Sequence, residues 1–321
     1  MAASGIDPEL LLFIEGVAAA YAKHPSFDTL SPTEARKVAQ AVRAPWTKGG
    51  PAMAETRETI VPFGEDGVRI RIHHPSAARP LPVLIYVHGG GWTIFSLDTH
   101  DRLMRDYAAA AGVAVVGVDY SLSPEAKFPR AIEETAAVLR WLSGRGADVG
   151  IDGGRLALGG DSAGAHISVA TAILLRDAGE GGLLSSLVLN YGVFDDDFSR
   201  PSYALYGGGE YTLSAAEMRK FWRDHLPDDG AKDNPSLWSL ARPLRARLDG
   251  LPPAFLAITE LDPLHDESVA MAVALDGAGI AVEAVVYPGT THGFLEAMSV
   301  AGVSRRAIAD TARWLAARLE R

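Results

Sequence analysis

The residues Gly160-Asp161-Ser162-Ala163-Gly164 set a serine hydroxyl between two glycines. A serine in the pattern Gly-x-Ser-x-Gly can act as a nucleophile when it sits on a turn from strand to helix. That turn is too sharp for bulky neighbours, so glycines flank it and a small residue such as Ala163 follows the serine. Here an apolar run precedes the pattern and a helical pattern follows it. Taken alone, the five residues are equally a plain glycine-rich turn. A second group, His88-Gly89-Gly90-Gly91-Trp92, directly follows the apolar residues 83–87. Consecutive glycines allow backbone angles that turn several N–H groups towards one point. Such N–H groups can hold the negative oxygen that forms when a hydroxyl attacks a carbonyl. The amides of Gly90, Gly91 and Ala163 are the candidates for this oxyanion hole. A phosphate-binding loop would also use glycines, but the spacing fits neither Gly-x-Gly-x-x-Gly nor a P-loop.

A serine nucleophile needs a base to take its proton and an acid behind that base, and both can stand just past strand ends like its own. Asp262 lies just past the apolar run 254–258, and His292 just past 282–287. Of nine histidines, His292 follows both the acid and a strand end. His88 belongs to the glycine loop, and His166 lies one turn into the helix after the serine. Asp266 competes for the acid role, as do Asp195, Asp196 and Asp197, but Asp266 reads better as a loop or helix-capping residue. Trp92, Phe95, Tyr191 and Phe294 are the candidate pocket lining. Core packing is the competing explanation for each of them.

These side chains need elements to carry them. Residues 55–62 and 68–73 read as two strands joined by a turn. Short apolar runs at 83–87, 113–118, 156–158, 187–189, 254–258 and 282–287 read as strands buried on both faces, the mark of a parallel sheet covered by helices. Helical patterns at 100–111, 129–143, 163–177 and 266–278 alternate with them, and one at 303–319 closes the chain. The expected fold class is α/β, with a mostly parallel sheet flanked by helices. Before the sheet, residues 9–21 carry Leu10, Ile14, Val17 and Tyr21 at helical spacing. Ser31-Pro32-Thr33-Glu34 then marks a second helix start. About sixty residues separate the strands near Tyr191 and Pro252. Within them Ser214 to Glu217 repeats the capping pattern ahead of Met218, Phe221 and Trp222. An insertion of this length suggests a lid or cap.

In its motifs the sequence resembles the hormone-sensitive-lipase-like branch of the α/β-hydrolases, the bacterial acetyl-esterase-like carboxylesterases. The resemblance runs from about residue 60 to the C-terminus. It rests on the glycine loop, on Asp119-Tyr120-Ser121-Leu122-Ser123-Pro124-Glu125, on the serine motif, on Asp262-Pro263-Leu264-His265-Asp266 and on His292-Gly293-Phe294. The family usually has Arg and Ala where Ser121 and Ser123 stand, and often Gly where Phe95 stands. The resemblance implies an α/β-hydrolase fold with a helical cap, built from residues 1–50 and about 192–250, on a catalytic domain of 51–321. It also implies ester hydrolysis through Ser162, His292 and Asp262, a small-molecule ester substrate, no metal or organic cofactor, and a homodimer. An amidase or specialised deacylase would use the same triad. A non-catalytic ligand-binding relative would lack the histidine, which His292 supplies.

Composition narrows the field further. A net charge of −10 with no basic block argues against nucleic-acid binding. The absence of cysteine removes disulfides, cysteine nucleophiles and thiolate metal sites. No run is long and apolar enough to span a bilayer, and residues 1–15 do not read as a signal peptide. A cytoplasmic location without membrane contact is therefore expected.

Overall fold

In the computed structural model, which describes residues 4–228 and 234–320, one eight-stranded sheet carries the site. Its strands are β1 (Glu55–Val61), β2 (Val68–His74), β3 (Leu81–Val87), β4 (Ala114–Val118), β5 (Ile151–Asp161), β6 (Leu184–Asn190), β7 (Ala254–Leu261) and β8 (Val282–Thr291). Their order in the sheet is β1-β2-β4-β3-β5-β6-β7-β8. The pairs β1–β2 and β2–β4 are antiparallel and all the others parallel. The carboxyl ends of β3, β5, β7 and β8 therefore share one edge, where ligands bind in open parallel sheets.

Period-two alternation decides which layer each strand residue meets. In β3, Val83, Ile85 and Val87 join one core and Leu84 and Tyr86 the other. The first core is covered by α4 (Arg130–Arg145), α5 (Ala163–Asp177) and α9 (His265–Gly277). The second is covered by α3 (Asp101–Ala111) and α10 (Gly302–Leu319). Each fully buried aliphatic side chain contributes about 1.5–3 kcal/mol, which holds the strand ends rigid. The strand β8 departs from the expectation of burial on both faces. It is the terminal strand, Val286 is exposed, and full burial begins only towards its carboxyl end.

Outside the sheet layers lie α1 (Pro8–Tyr21), α2 (Pro32–Arg43), α6 (Pro201–Tyr206), α7 (Ala215–His225) and α8 (Pro235–Ala241). The capping boxes read from sequence are formed. Ser31 and Glu34 start α2, and Ser214 and Glu217 start α7. The buried face of α1 is Leu10 with Phe13, whose ring meets Trp46 edge-on at 4.9 Å. Among the described residues, no helix is long and apolar enough to cross a membrane.

Candidate active site

Ser162 stands between β5 and α5 with φ 54° and ψ −120°, a conformation costing about 1–3 kcal/mol for a non-glycine residue. The surroundings enforce it. The Ser162 amide donates to Asn190 O at 2.9 Å, and Ser162 O accepts from Ala165 and His166 as α5 begins. Both flanking glycines lie hard against Val87 O at the end of β3, where a Cβ on either would clash. The turn is thus fixed by close backbone approach. Ser162 is 6% exposed.

The glycine loop leaves β3 beside this turn. Gly90 has φ 109° and Gly91 φ 56°, and Gly90 O accepts the amides of Thr93 and Ile94 at 3.0 Å each. Among the described residues, the amides of Gly90, Gly91 and Ala163 donate to no protein acceptor. Asp161, the residue just before the serine, ties the loop to the turn. Its buried carboxylate accepts from Tyr86 Oη at 2.8 Å and Gly89 N at 3.2 Å, with His100 Nε2 at 3.4 Å. Burial pushes the Asp161 pKa up, but the charge and hydrogen bond of His100 and the Tyr86 hydroxyl outweigh it and lower it. His88 shapes the loop from within. Its Nδ1 meets Gly89 O at 2.7 Å, its ring stacks on Tyr120 at 4.4 Å, and burial with the nearby His100 charge lowers its pKa to about 3.

His292 follows β8 directly. Its Nε2 lies 2.9 Å from Ser162 Oγ and its Nδ1 2.8 Å from Asp262 Oδ2. A carboxylate only accepts, so Nδ1 carries the proton and Nε2 faces the serine hydroxyl as an acceptor. Asp262 is fully buried and also accepts from Thr259 Oγ1 at 2.6 Å and Leu264 N at 2.8 Å. Burial disfavours the imidazolium, but Asp262, with Asp161 and Glu296 adding, outweighs it and raises the His292 pKa above 6.5. The chain therefore brings together a hydroxyl, an imidazole, a buried carboxylate and three unengaged amides, an arrangement suited to acyl transfer.

Comparison with known proteins agrees with the fold. A family described as having the α/β-hydrolase fold matches residues 84–296. The chain belongs to the α/β-hydrolase fold family. Its relatives place it on the hormone-sensitive-lipase-like branch, among bacterial esterases. It is 34% identical over 278 residues to an acetyl esterase of Salmonella choleraesuis, covering 86% of this chain and 84% of that protein. It is 36% identical over 268 residues to a carboxylesterase of Mycobacterium tuberculosis, covering 83% of this chain and 82% of that one. A hyperthermophilic esterase from Pyrobaculum calidifontis superposes with a TM-score of 0.88 at 30% identity, covering 98% of both chains. An ester hydrolase from the Lake Arreo metagenome, solved with a bipyridine phosphonate derivative, gives 0.90 at 33%, covering 98% of this chain and all of that one.

The hydrolase places the remaining candidates as follows. Asp266 lies inside α9 and accepts the Ser202 amide at the start of α6. Asp195 and Asp196 pair with arginines at 200, 242 and 245, and Asp197 accepts from Ser199. His166 is buried, accepts from Trp92 Nε1 at 3.1 Å and meets Ala241 O at 3.2 Å. The expectation that Trp92 lines the pocket needs correcting. Its indole is buried in the core, stacked on His225 at 4.3 Å and donating Nε1 to His166, partners that hold it there. Phe294 likewise packs in the core, against Tyr191 and Tyr287. Tyr191 meets the His292 ring edge-on at 5.2 Å, and Phe95 lies under the Arg43 guanidinium at 5.0 Å.

Sequence reasoning placed Phe221 in the cap but missed its contact with the glycine loop, and missed two further partners of the site. Phe221 on α7 lays its ring against Gly91, and Thr212 Oγ1 donates to His292 O at 3.0 Å. Arg36 on α2 donates to Thr93 O at 2.8 Å, Ser123 O at 2.8 Å and Glu125. Asp161 was visible inside the serine motif as its variable position. Thr212 and Arg36 carry no local signal at all.

Proposed function

We propose that this carboxylic ester hydrolase cleaves short-chain acyl esters by two-step acyl transfer through Ser162, His292 and Asp262. The observation that carries the reading is the relay from Ser162 Oγ through His292 to buried Asp262, next to the three free amides. His292 Nε2 takes the proton of Ser162 as Oγ attacks the ester carbonyl. The oxygen that gains charge is held by the amides of Gly90, Gly91 and Ala163. The tetrahedral species collapses, His292 protonates the departing alcohol, and an acyl-serine remains. Water, deprotonated by His292, then attacks the acyl carbon, and Ser162 regains the proton as the carboxylic acid leaves. Asp262 holds the imidazole in the tautomer that accepts at Nε2.

The preference for short chains rests on what stands around the hole. In our reading, residues 1–50 and about 192–250 form a cap on a hydrolase body of 51–321. From it Phe221 closes over Gly91, while Phe95 fills the space beside Gly90. A roomy pocket would favour longer chains progressively, by about 0.8 kcal/mol per buried methylene. A closed one peaks early. Cytoplasmic residence and a homodimer complete the reading, to be checked by fractionation and light scattering.

The test is kcat/KM for aryl acetate, butyrate, hexanoate, octanoate and decanoate, and for the matching anilides. Wild type should peak between acetate and butyrate, with the anilides far slower. Phe95→Gly and Phe221→Ala should each move the optimum to longer chains. A wild-type maximum at octanoate or beyond would refute the closed pocket, and faster anilide turnover would refute ester preference.

A further inference from the structure

Besides Asp262, two buried carboxylates act on the charge of His292. One is Asp161 at the end of β5, already matched by His100. The other is Glu296, four residues further along the base's own loop. Gly293, with φ 79°, folds that loop back so that Glu296 N donates to Gly293 O at 3.0 Å. Glu296 Oε1 then stands 3.2 Å from where a side chain on Gly293 would begin. A carboxylate is thereby held against the residue next to the base. Its counter-ion comes from 253 residues away in sequence. Arg43, at the end of α2, donates Nε to Glu296 Oε2 at 2.5 Å, with the two side chains 12% and 8% exposed.

A buried ion pair of this kind is a poor device for stability, because desolvating both charges offsets most of their attraction. The surroundings of Arg43 also fit a positional purpose. Its guanidinium lies over the rings of Phe13, Tyr21 and Phe95 at 5.0–5.7 Å, which exclude water and fix its direction. Its Nη1 is buried and without a protein partner among the described residues. A cavity of about 10 Å³, room for one water, lies between Arg43, Glu296, Thr99 and Met298. Arg36, seven residues earlier and so on the same face of α2, holds the oxyanion loop through Thr93 O. One helix outside the sheet thus grips both the loop of the oxyanion hole and the loop of the base.

We propose that Arg43 and Glu296 form a positioning pair in which Glu296 braces the loop beside His292 and Arg43 cancels the charge this carboxylate brings, leaving Asp262 and Asp161 to set the pH at which His292 becomes a working base. This rests on the reading of His292 as the base. The groups facing His292 are Asp262 from the loop after β7, Asp161 from β5, Ser162, Tyr191 after β6 and Glu296. Those facing the pair are Tyr21 of α1, His100, Tyr191 and Arg102 of α3. Burial lowers the His292 pKa, and Asp262, Asp161 and Glu296 raise it on balance, so the acid limb of the wild-type rate profile lies above 6.5. Arginine stays charged when buried. Removing the Glu296 charge therefore leaves an uncompensated cation that disfavours the imidazolium, and the base becomes neutral at lower pH.

The experiment is the pH profile of kcat/KM on an aryl acetate, with melting curves recorded alongside. Glu296→Gln should move the acid limb down by about one to two pH units, the size expected for a charge roughly 6–12 Å away at an effective dielectric near 20. Arg43→Met combined with Glu296→Gln should return it to within about 0.3 unit of wild type, and Arg43→Lys should leave it in place. If Glu296→Gln does not fold, Arg43→Met alone carries the test, since it leaves the opposite imbalance and must move the limb up. A limb that stays put or moves up in Glu296→Gln, a double variant that keeps the Glu296→Gln limb, or an unmoved limb in Arg43→Met would overturn the proposal. A structural contact would lower melting temperature without this sign pattern. His292→Gln serves as control. If it retains turnover, the base assignment has failed. If it is inactive and the limbs do not move as stated, only the pairing proposal has failed.

Discussion

The two halves of the site are held in different ways. Ser162 and the glycine loop are held by backbone: positive φ at Ser162, Gly90 and Gly91, and glycines pressed against Val87 O. Asp262 and His292 are held by side chains: Thr259 on Asp262, Thr212 on the carbonyl of His292, Arg43 on Glu296 in the His292 loop. Backbone geometry of this kind demands particular residues in a row, so it writes itself into a local motif. Side-chain support can come from any distance, and here it spans 3, 80 and 253 residues. The backbone half should therefore fail abruptly on small substitutions, and the side-chain half by degrees.

Substitutions can break that comparison in graded steps. The largest effect is expected at the acid. Asp262→Asn should lower kcat by about 10⁴-fold, because an amide no longer fixes the imidazole tautomer. Asp266→Asn only weakens a charge-assisted hydrogen bond from the Ser202 amide, so it should act mainly on melting temperature. Reversed effects would put the acid in the wrong loop. Next comes the backbone half. Gly164→Ala puts a methyl into Val87 O, with no flexible side chain to give way, and should cost about 3 kcal/mol in denaturant unfolding as well as activity. A stable, active Gly164→Ala would show that the turn is looser than described.

Smaller changes sharpen the other side. Thr259→Val deletes one hydrogen bond to a buried carboxylate, worth about 1.5–3 kcal/mol, so kcat should fall roughly ten- to hundredfold with the fold retained. No change would mean that Leu264 N alone orients Asp262. The smallest effect concerns stability. Glu267 is buried behind the acid loop, where it accepts from the amides of Phe194 and Asp195 and from Tyr203 Oη. Burial outweighs these bonds and raises its pKa from 4.5 to about 7. Between those values the unfolded chain gives up this proton while the folded chain keeps it. Its contribution to stability therefore falls as pH rises from about 4.5 to 7. Melting curves of Glu267→Gln should show a flatter slope across that window, and equal slopes would contradict the assignment.

The same contrast explains what could be read in the sequence. The strands and the alternating helices were legible because apolar runs and 3.6-residue stripes are local, and the serine turn and glycine loop because sterics leave little choice of residue. That Asp262 and His292 come together beside Ser162 was legible through their order and their places just past strand ends. Trp92 misled, because an aromatic after the glycines reads as pocket lining, whereas its indole packs in the core against Trp222, His225 and His166, which lie far from it in sequence. Phe221 was visible as an apolar residue on a capped helix, but its contact with Gly91 depends on how the insertion folds back, which no spacing encodes. The exposure of β8 could not be seen either, since an edge strand and a central one can share the same apolar run.

The central claim is that Ser162 is the nucleophile and His292 activates it. Intact mass and peptide mapping after reaction with a fluorophosphonate tests this most directly. The account expects a single adduct, on Ser162, absent in Ser162→Ala and formed orders of magnitude more slowly in His292→Gln. An adduct on another residue, or Ser162→Ala hydrolysing aryl acetate at more than a few per cent of the wild-type rate, would contradict it.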